Sequence, residues 1–308
     1  MEMTFSVEIG GRPLEFSTGK VAKQAGGAVV ATHGETTVLT TACITEKPRT
    51  GIDFFPLLVD FEERFYSAGK IPGGFIKREG RPSETAILSC RMVDRSIRSL
   101  FDESMRYDVH VVSTVLSVDQ VNPPNVLAIN AASAALTISD IPWGGPVGAV
   151  RIGRLGDEFV VNPTEEQMLE STLDLLVAGH LDGVTMVECG SKEISEELLV
   201  DALELAQNEI KKIVGLFNEM RAAVGREKLV LPPPPAFPDI DAWAAENLAG
   251  EIRDAVMIHE KKPRGDAISA ARDKLLERFR EECPESGDYI GGLIDEMVKK
   301  TMRSLIVD

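Results

Sequence analysis

The sequence predicts an α+β domain followed by a small all-α domain, on three observations. Short alternating apolar segments, punctuated by glycines, fill the first 66 residues. Helical periodicities then interrupt further strand-like segments between residues 83 and 225. Four consecutive prolines at 232–235 end the strand signals, and the chain beyond them repeats at helical spacing. Such a mixture builds sheets covered by helices. The expected boundaries are 1–228 for the α+β core, 229–238 for a proline-rich linker and 239–308 for the helical domain.

Residues 3–9 alternate, Gly10-Gly11 turns the chain, and 14–17 resume the pattern. Gly26-Gly27, His33-Gly34 and the segment 48–51 bound strands at 28–32 and 36–45. The aromatic, apolar run 54–65 fits a strand buried on at least one face. Ser83 is an N-cap signal, with Glu84 in the first turn of a helix. Ile87, Cys90, Val93, Ile97 and Leu100 are its expected apolar face, and Arg91, Arg95 and Arg98 form a second row. Residues 107–118 alternate as a strand, and the alanines of 125–138 predict a small-residue helix packed closely on a sheet. Strand pieces follow at 147–152, 159–161, 173–178, 180–183 and 185–187. A long helix runs from the N-cap Ser195 to Gly225, with Leu199, Ala202, Ala206, Ile210, Ile213, Phe217 and Met220 as its stripe. Helices at 239–261, 265–282 and 287–306 complete the chain, with breaks at 262–265 and 283–287.

Several function classes fall away on composition. No basic-plus-apolar leader and no apolar run near about 18 residues is present, so a soluble, cytoplasmic protein without a membrane role is expected. Cys43, Cys90, Cys189 and Cys283 are scattered without a C-x-x-C, and the four histidines stand far apart, so neither a disulfide framework nor a metal motif is expected. Lys70-Ile71 lacks the Ser/Thr of a phosphate-binding loop, Gly144–Gly148 lacks dinucleotide spacing, and no G-x-S-x-G occurs. Adjacent carboxylates such as Glu62-Glu63 point apart and read as surface.

One stretch runs against the charge of the whole. The chain carries −16, yet Lys70, Lys77, Arg78, Arg81, Arg91, Arg95 and Arg98 against Glu79, Glu84 and Asp94 give residues 70–98 a charge of +4. An acidic surface repels polyanions everywhere except at such a place, and focuses them there. Cations beside glycine-rich turns suit phosphates better than base edges. The competing reading is a solvated helix in which Asp94 pairs Arg91 and Arg98.

The run FFPLLVDFEERFYSAGKIPGGFIKREGRPSETAILSCRMVDRSIRSLF, residues 54–101, resembles the first core domain of bacterial polynucleotide phosphorylases. GKIPGG, the aromatic-basic loop after it, GRPSE and the DR-x-IR-x-LF helix end stand in family order and spacing. VVSTVLSVDQVNPPNVLAINAASAAL and IPWGGPVGAVRIG are also of the family type. The resemblance spans essentially all 308 residues and implies an RNase PH-like core followed by the family's helical linker domain.

The resemblance implies a phosphorolytic 3′–5′ exoribonuclease that releases nucleoside diphosphates and assembles as a homotrimeric ring around an RNA-threading pore. It places catalysis, phosphate-binding serines and Mg²⁺-binding acids in a second core that follows this region. No catalytic residue, metal ligand or cofactor is therefore expected here, and 1–308 alone is expected to be inactive. Single-stranded RNA is the expected partner, with RNA-degradation proteins as further ones. Phe75, Ile76, Lys77 and Arg78 match the family's pore loop, with Ile76 in place of a second aromatic and Lys77 in place of an arginine. Arg81 matches directly, and Arg91 and Arg95 match arginines that hold RNA near the active site. Ser96 and Ser99 stand where the family has prolines. Two alternatives are a non-catalytic ring subunit of an exosome-type complex, and an acidic scaffold without RNA binding.

Overall fold

Gly10-Gly11 folds β1 (Met3–Ile9) back onto β2 (Arg12–Thr18), and both glycines take the positive φ that such a reversal demands. The computed structural model describes every residue except Met1, Thr50, Asp53, 233–235 and Asp308, so the middle of the predicted proline linker lies outside the described residues. The chain divides into two units, Met1–Leu231 and Pro232–Asp308.

In the first unit β3 (Gly27–His33), β4 (Thr36–Ile44), β5 (Leu57–Glu63) and β6 (Val109–Ser117) join the first hairpin in a six-stranded sheet of order β1-β2-β3-β4-β6-β5. Burial alternates along β3, β4 and β6, so Val29, Ala31, Val38, Ala42, Val111 and Val115 share one covered face. Every pairing is antiparallel except β5 with β6. Parallel neighbours need a crossover, and α1 (Glu84–Arg98) is it. The strand expected over 54–65 is shorter, because Pro56 has no N–H to pair and residues Phe65–Ala68 wind into a 3-10 turn.

Side chains of α1 cover the outer edge of β5. The Cys90 thiol donates to the Val59 carbonyl at 2.8 Å, and Arg98 donates to the carbonyls of Phe55 (3.4 Å) and Leu57 (3.2 Å). The buried face of α1 is Ala86, Ser89, Val93, Ser96 and Ile97, and Ile87, expected on that face, is exposed. At about 100° per residue, Ala86 stands about 20° from Val93 and Ile87 about 120° from it.

The second sheet has order β10-β9-β7-β8, from β7 (Gly148–Leu155), β8 (Glu158–Val161), β9 (Leu173–His180) and β10 (Gly183–Ser191), all antiparallel. The three strand pieces expected over 173–187 are this one hairpin, with a bulge between Val184 and Met186. A short helix α3 (Glu165–Glu170), not anticipated, starts at a capping box formed by Thr164 and Gln167.

Between the sheets lies α2 (Pro124–Ile138), buried from Val126 to Ile138. It packs on β3 and β4, on β7, and on α4 (Glu196–Val224). Its alanines let backbones close in: a Cβ added to Gly27 would stand 2.0 Å from the Ala135 carbonyl oxygen. Its polar side chains act as sheet partners. The Asn130 amide donates to the Ala149 carbonyl and accepts from the Ala149 N–H, both at 2.8 Å, and Ser133 Oγ accepts from the Val147 N–H at 3.0 Å. Gly225 ends α4 in extended rather than left-handed backbone, where a Cβ would meet the Arg221 carbonyl at 2.4 Å. Lys228 then closes the C-terminus of α2, donating to Leu136 and Ser139 carbonyls at 2.7 Å. Burial and the charge of Arg221 lower its pKa to about 8.

A polar knot joins strand ends on the far side of α2. Burial alone would raise the Asp119 carboxyl, but N–H groups of Asn122, Val121 and Glu35 and the Asn122 amide hold it well below the usual carboxylate range. Arg12 reaches Asn122 Oδ1 and the Asn162 carbonyl. His33, 8% exposed, lines a cavity of about 20 Å³ beside them, and its Nε2 is buried without a partner among the described residues. Burial and the nearby Arg12 charge lower its pKa to about 4.

The second unit packs α5 (Pro238–Asn247), α6 (Ala249–Val256), α7 (Lys261–Phe279) and α8 (Gly287–Val307) around Leu248, Ile252, Leu275 and Ile290. The helix expected over 239–261 is two, hinged at Leu248. The break expected at 262–265 is instead the first turn of α7, where Pro263 forfeits no intrahelical hydrogen bond.

Two measurements check this packing. With Trp243→Phe confining emission to Trp143 in the first unit, Gly27→Ala lowers urea stability by about 1–3 kcal/mol. Gly215→Ala, inside α4 with open space at its Cβ, raises it by about 0.5–1 kcal/mol. The second concerns pH. An unfolded histidine takes a proton near pH 6.5 and folded His33 resists it until about 4, so first-unit stability falls as pH drops through that window. His33→Gln makes the fall shallower in the same urea titration.

Candidate nucleic-acid interface

The basic loop is a tip on two fixed feet. At the first foot Gly69 closes the 3-10 turn in the left-handed region, and Ser67 accepts at its carbonyl from the Val118 N–H (3.0 Å) beyond the end of β6. At the second, Glu79 accepts from the Phe65 N–H (3.1 Å), and Ser83 donates to Glu63 (2.7 Å) while capping α1 through the Ala86 N–H (3.0 Å). Glu62 turns the other way, to Arg64 and Thr114, so these adjacent carboxylates do point apart.

Between the feet, a turn closed by Lys77 N–H to Gly74 carbonyl (3.0 Å) puts Phe75 and Ile76 at its corners. Phe75 is wholly exposed, Ile71 is 88% exposed and Ile76 77%. Three large apolar side chains are held out in water and belong to neither hydrophobic core. The side chains of Lys70, Lys77, Arg78 and Arg81 surround them, exposed and without a hydrogen bond or ion pair among the described residues. Fixed feet limit the tip's freedom, while an unpaired cationic rim leaves its whole charge for a ligand.

Past Ser83 the outer face of α1 carries Ile87, Leu88, Arg91, Arg95 and Arg98, all exposed. The three arginines do different things. Arg98 binds Asp94 through two nitrogens (2.9 and 2.6 Å) and also holds the β5 edge, its guanidinium 5.9 Å from the Phe55 ring. Arg95 donates to Glu188 Oε2 (2.7 Å) and to the Val187 carbonyl (3.3 Å), both on β10. Arg91 has no such partner among the described residues, so the Asp94–Arg91 pair weighed from sequence does not form. Ser96 is buried and returns its hydroxyl to the Met92 carbonyl at 2.7 Å.

Loop and helix are thus continuous through Ser83 and present one cationic surface with apolar side chains set in it. Nothing in the sequence pointed to Glu188 as a member of this region, or to Glu79 and Glu63 as the groups that anchor the loop. Glu188 and Arg95 lie 93 residues apart, and only strand pairing brings β10 beside α1. Among the described residues, no group of three His, Cys, Asp or Glu is placed to hold a metal ion.

The division among the arginines is measurable. Arg98→Ala removes the bonds to Asp94 and two carbonyls and lowers first-unit stability by about 1–2 kcal/mol. Arg91→Ala stays within about 0.5 kcal/mol of wild type. Urea titration of both variants checks this; equal losses would contradict the assignment.

Known proteins are similar to this chain in sequence and in fold. The 3′ exoribonuclease family, domain 1, matches residues 10–142, and domain 2 of the same family matches 145–209. The chain is 48% identical to a polyribonucleotide nucleotidyltransferase of Thermomicrobium roseum, over 98% of this chain and 40% of that protein. It is 46% identical to the Heliobacterium modesticaldum enzyme of that name (98% and 43% covered) and 43% identical to the Bacillus licheniformis one (99% and 43%). The chain thus spans about two-fifths of the length of these relatives. Rice Rrp46 superposes with a TM-score of 0.56 at 17% identity, covering 69% of this chain and 95% of that one, a likeness of fold alone.

Proposed function

This chain belongs to the 3′ exoribonuclease family, and from that premise we propose that it is the RNA-gripping and ring-assembly half of a phosphorolytic exoribonuclease. In that reaction an inorganic phosphate oxygen attacks the last phosphodiester phosphorus. The 3′-oxygen of the shortened RNA leaves, and a nucleoside diphosphate is released. The groups for that step, including any Mg²⁺ site, belong to the remaining part of the relatives' length. Three copies form the ring in this reading, in the cytoplasm, with RNA-degradation proteins as further partners.

The observation that carries the reading is the tip: Phe75 and Ile76 offered to solvent inside a rim of unpaired Lys77, Arg78 and Arg81. Single-stranded nucleic acid is held without sequence preference by two means, aromatic faces for bases and cations for phosphates, and the tip has both. Arg91, without a partner among the described residues, adds a guanidinium further along. The scaffold alternative needs an arginine row that serves internal ion pairs, as Arg98 does, and Arg91 makes none among the described residues.

Fluorescence anisotropy with labelled poly(A) and poly(U) across a salt series tests this. Lys77→Ala with Arg78→Ala weakens both polymers alike and makes the salt slope shallower by roughly 0.7 for each phosphate no longer neutralised. Phe75→Ala costs about 1–3 kcal/mol and leaves the slope nearly unchanged. A double variant that binds like wild type at every salt concentration contradicts the reading. The chain 1–308 alone, given poly(A), phosphate and magnesium, releases no nucleoside diphosphate; chelator-sensitive turnover would overturn the division of labour.

A further inference from the structure

We propose that Glu188 is a competing acceptor for Arg95: it holds the guanidinium against β10 and yields it to a phosphate of the bound strand. The proposal rests on the RNA-gripping reading of this chain.

The Arg95–Glu188 pair is built to be exchanged. Arg95 touches one carboxylate oxygen of Glu188 at 2.7 Å, and its second nitrogen reaches only the Val187 carbonyl, at 3.3 Å. The fork that fits a carboxylate or phosphate bidentately is therefore split between one carboxylate oxygen and one long bond to a carbonyl. Both side chains are about half exposed, 46% and 52%. Exposed pairs of this kind contribute little to stability, because water screens both charges. Arg98 shows the contrast four positions from Asp94, with both oxygens engaged and two backbone carbonyls besides.

The surroundings favour handover to an anion. Arg91 lies one helical turn before Arg95 on the same outer face and has no acceptor among the described residues. Side chains at i and i+4 are neighbours on a helix surface, so a phosphate at Arg91 arrives beside Arg95. β10 is the outermost strand of its sheet, and Val187, Glu188 and Cys189 on it are all exposed, so a strand of RNA can approach. Until Arg95 turns away, the Glu188 carboxylate repels that phosphate and occupies one of its two cations. Glu188 therefore sets how tightly the α1 face holds RNA without touching it, which makes it a positioning residue.

The test uses the whole 1–308 chain and labelled oligo(A) in anisotropy titrations across salt. Glu188→Gln and Glu188→Ala bind roughly two- to five-fold tighter than wild type at low salt. Their salt slope steepens by roughly 0.7, because one more phosphate is neutralised. In an Arg95→Gln background the same substitutions change neither quantity. Unchanged or weaker binding by the Glu188 variants, with wild type binding RNA, overturns the proposal. So does a tightening that persists without Arg95, which reports only the loss of a negative charge. If wild type and every variant fail to bind RNA, the RNA reading itself falls and this inference with it.

Discussion

A helix that has almost no polar surface must be surrounded, and α2 sets the spacing of the first unit for that reason. It packs against β3 and β4 of one sheet, against β7 of the other and against α1 and α4. Close approach is possible because Ala131, Ala132, Ala134 and Ala135 have nothing beyond Cβ, and because Gly27 has none at all opposite the Ala135 carbonyl. The cost of burying Asn130 and Ser133 is offset by giving each a backbone partner around β7. Asn130 thereby gives Ala149 both a donor and an acceptor from inside a helix.

From that centre the candidate interface follows by a short chain of contacts. α1 leans on α2 and β5, so its inner face is committed and its outer face is free for charge. Arg98 and Cys90 use that helix's reach to close the sheet edge, which keeps the parallel strand β5 in place. With β5 fixed, Glu63 and the 3-10 turn after it can hold the two feet of the loop. The apolar and cationic tip is the part left over, its exposed side chains without a polar partner among the described residues. Against an overall acidic chain it stands out as a basic patch.

Much of this was legible in sequence, for local reasons. Ser83 and Ser195 cap helices because a hydroxyl three residues before a free N–H is a contact within one turn. Alternation gave away the strands that have one covered face, and the alanine run announced a closely packed helix. What sequence could not carry was phase and distance. Ile87 sits three residues before Cys90, yet it lies too far round the helix to join Val93, and only summing the angles shows it. Pro263 and Gly265 look like a break, but a proline in a first turn begins a helix as readily. In the site, the loop residues and the arginine row were visible as charge. Their division was not, because Asp94 can reach either Arg91 or Arg98, and Glu188 reaches Arg95 only after two sheets have formed.

The central claim is that the exposed tip between Lys70 and Arg81 is where this chain holds single-stranded RNA. Photo-crosslinking of 1–308 to oligonucleotides containing 4-thiouridine, followed by peptide mass spectrometry, tests it most directly. The account predicts adducts concentrated in 70–81, with Phe75 foremost, competed by unlabelled poly(A) and suppressed by high salt. Salt-sensitive adducts confined to other segments, with 70–81 unmodified, would contradict it.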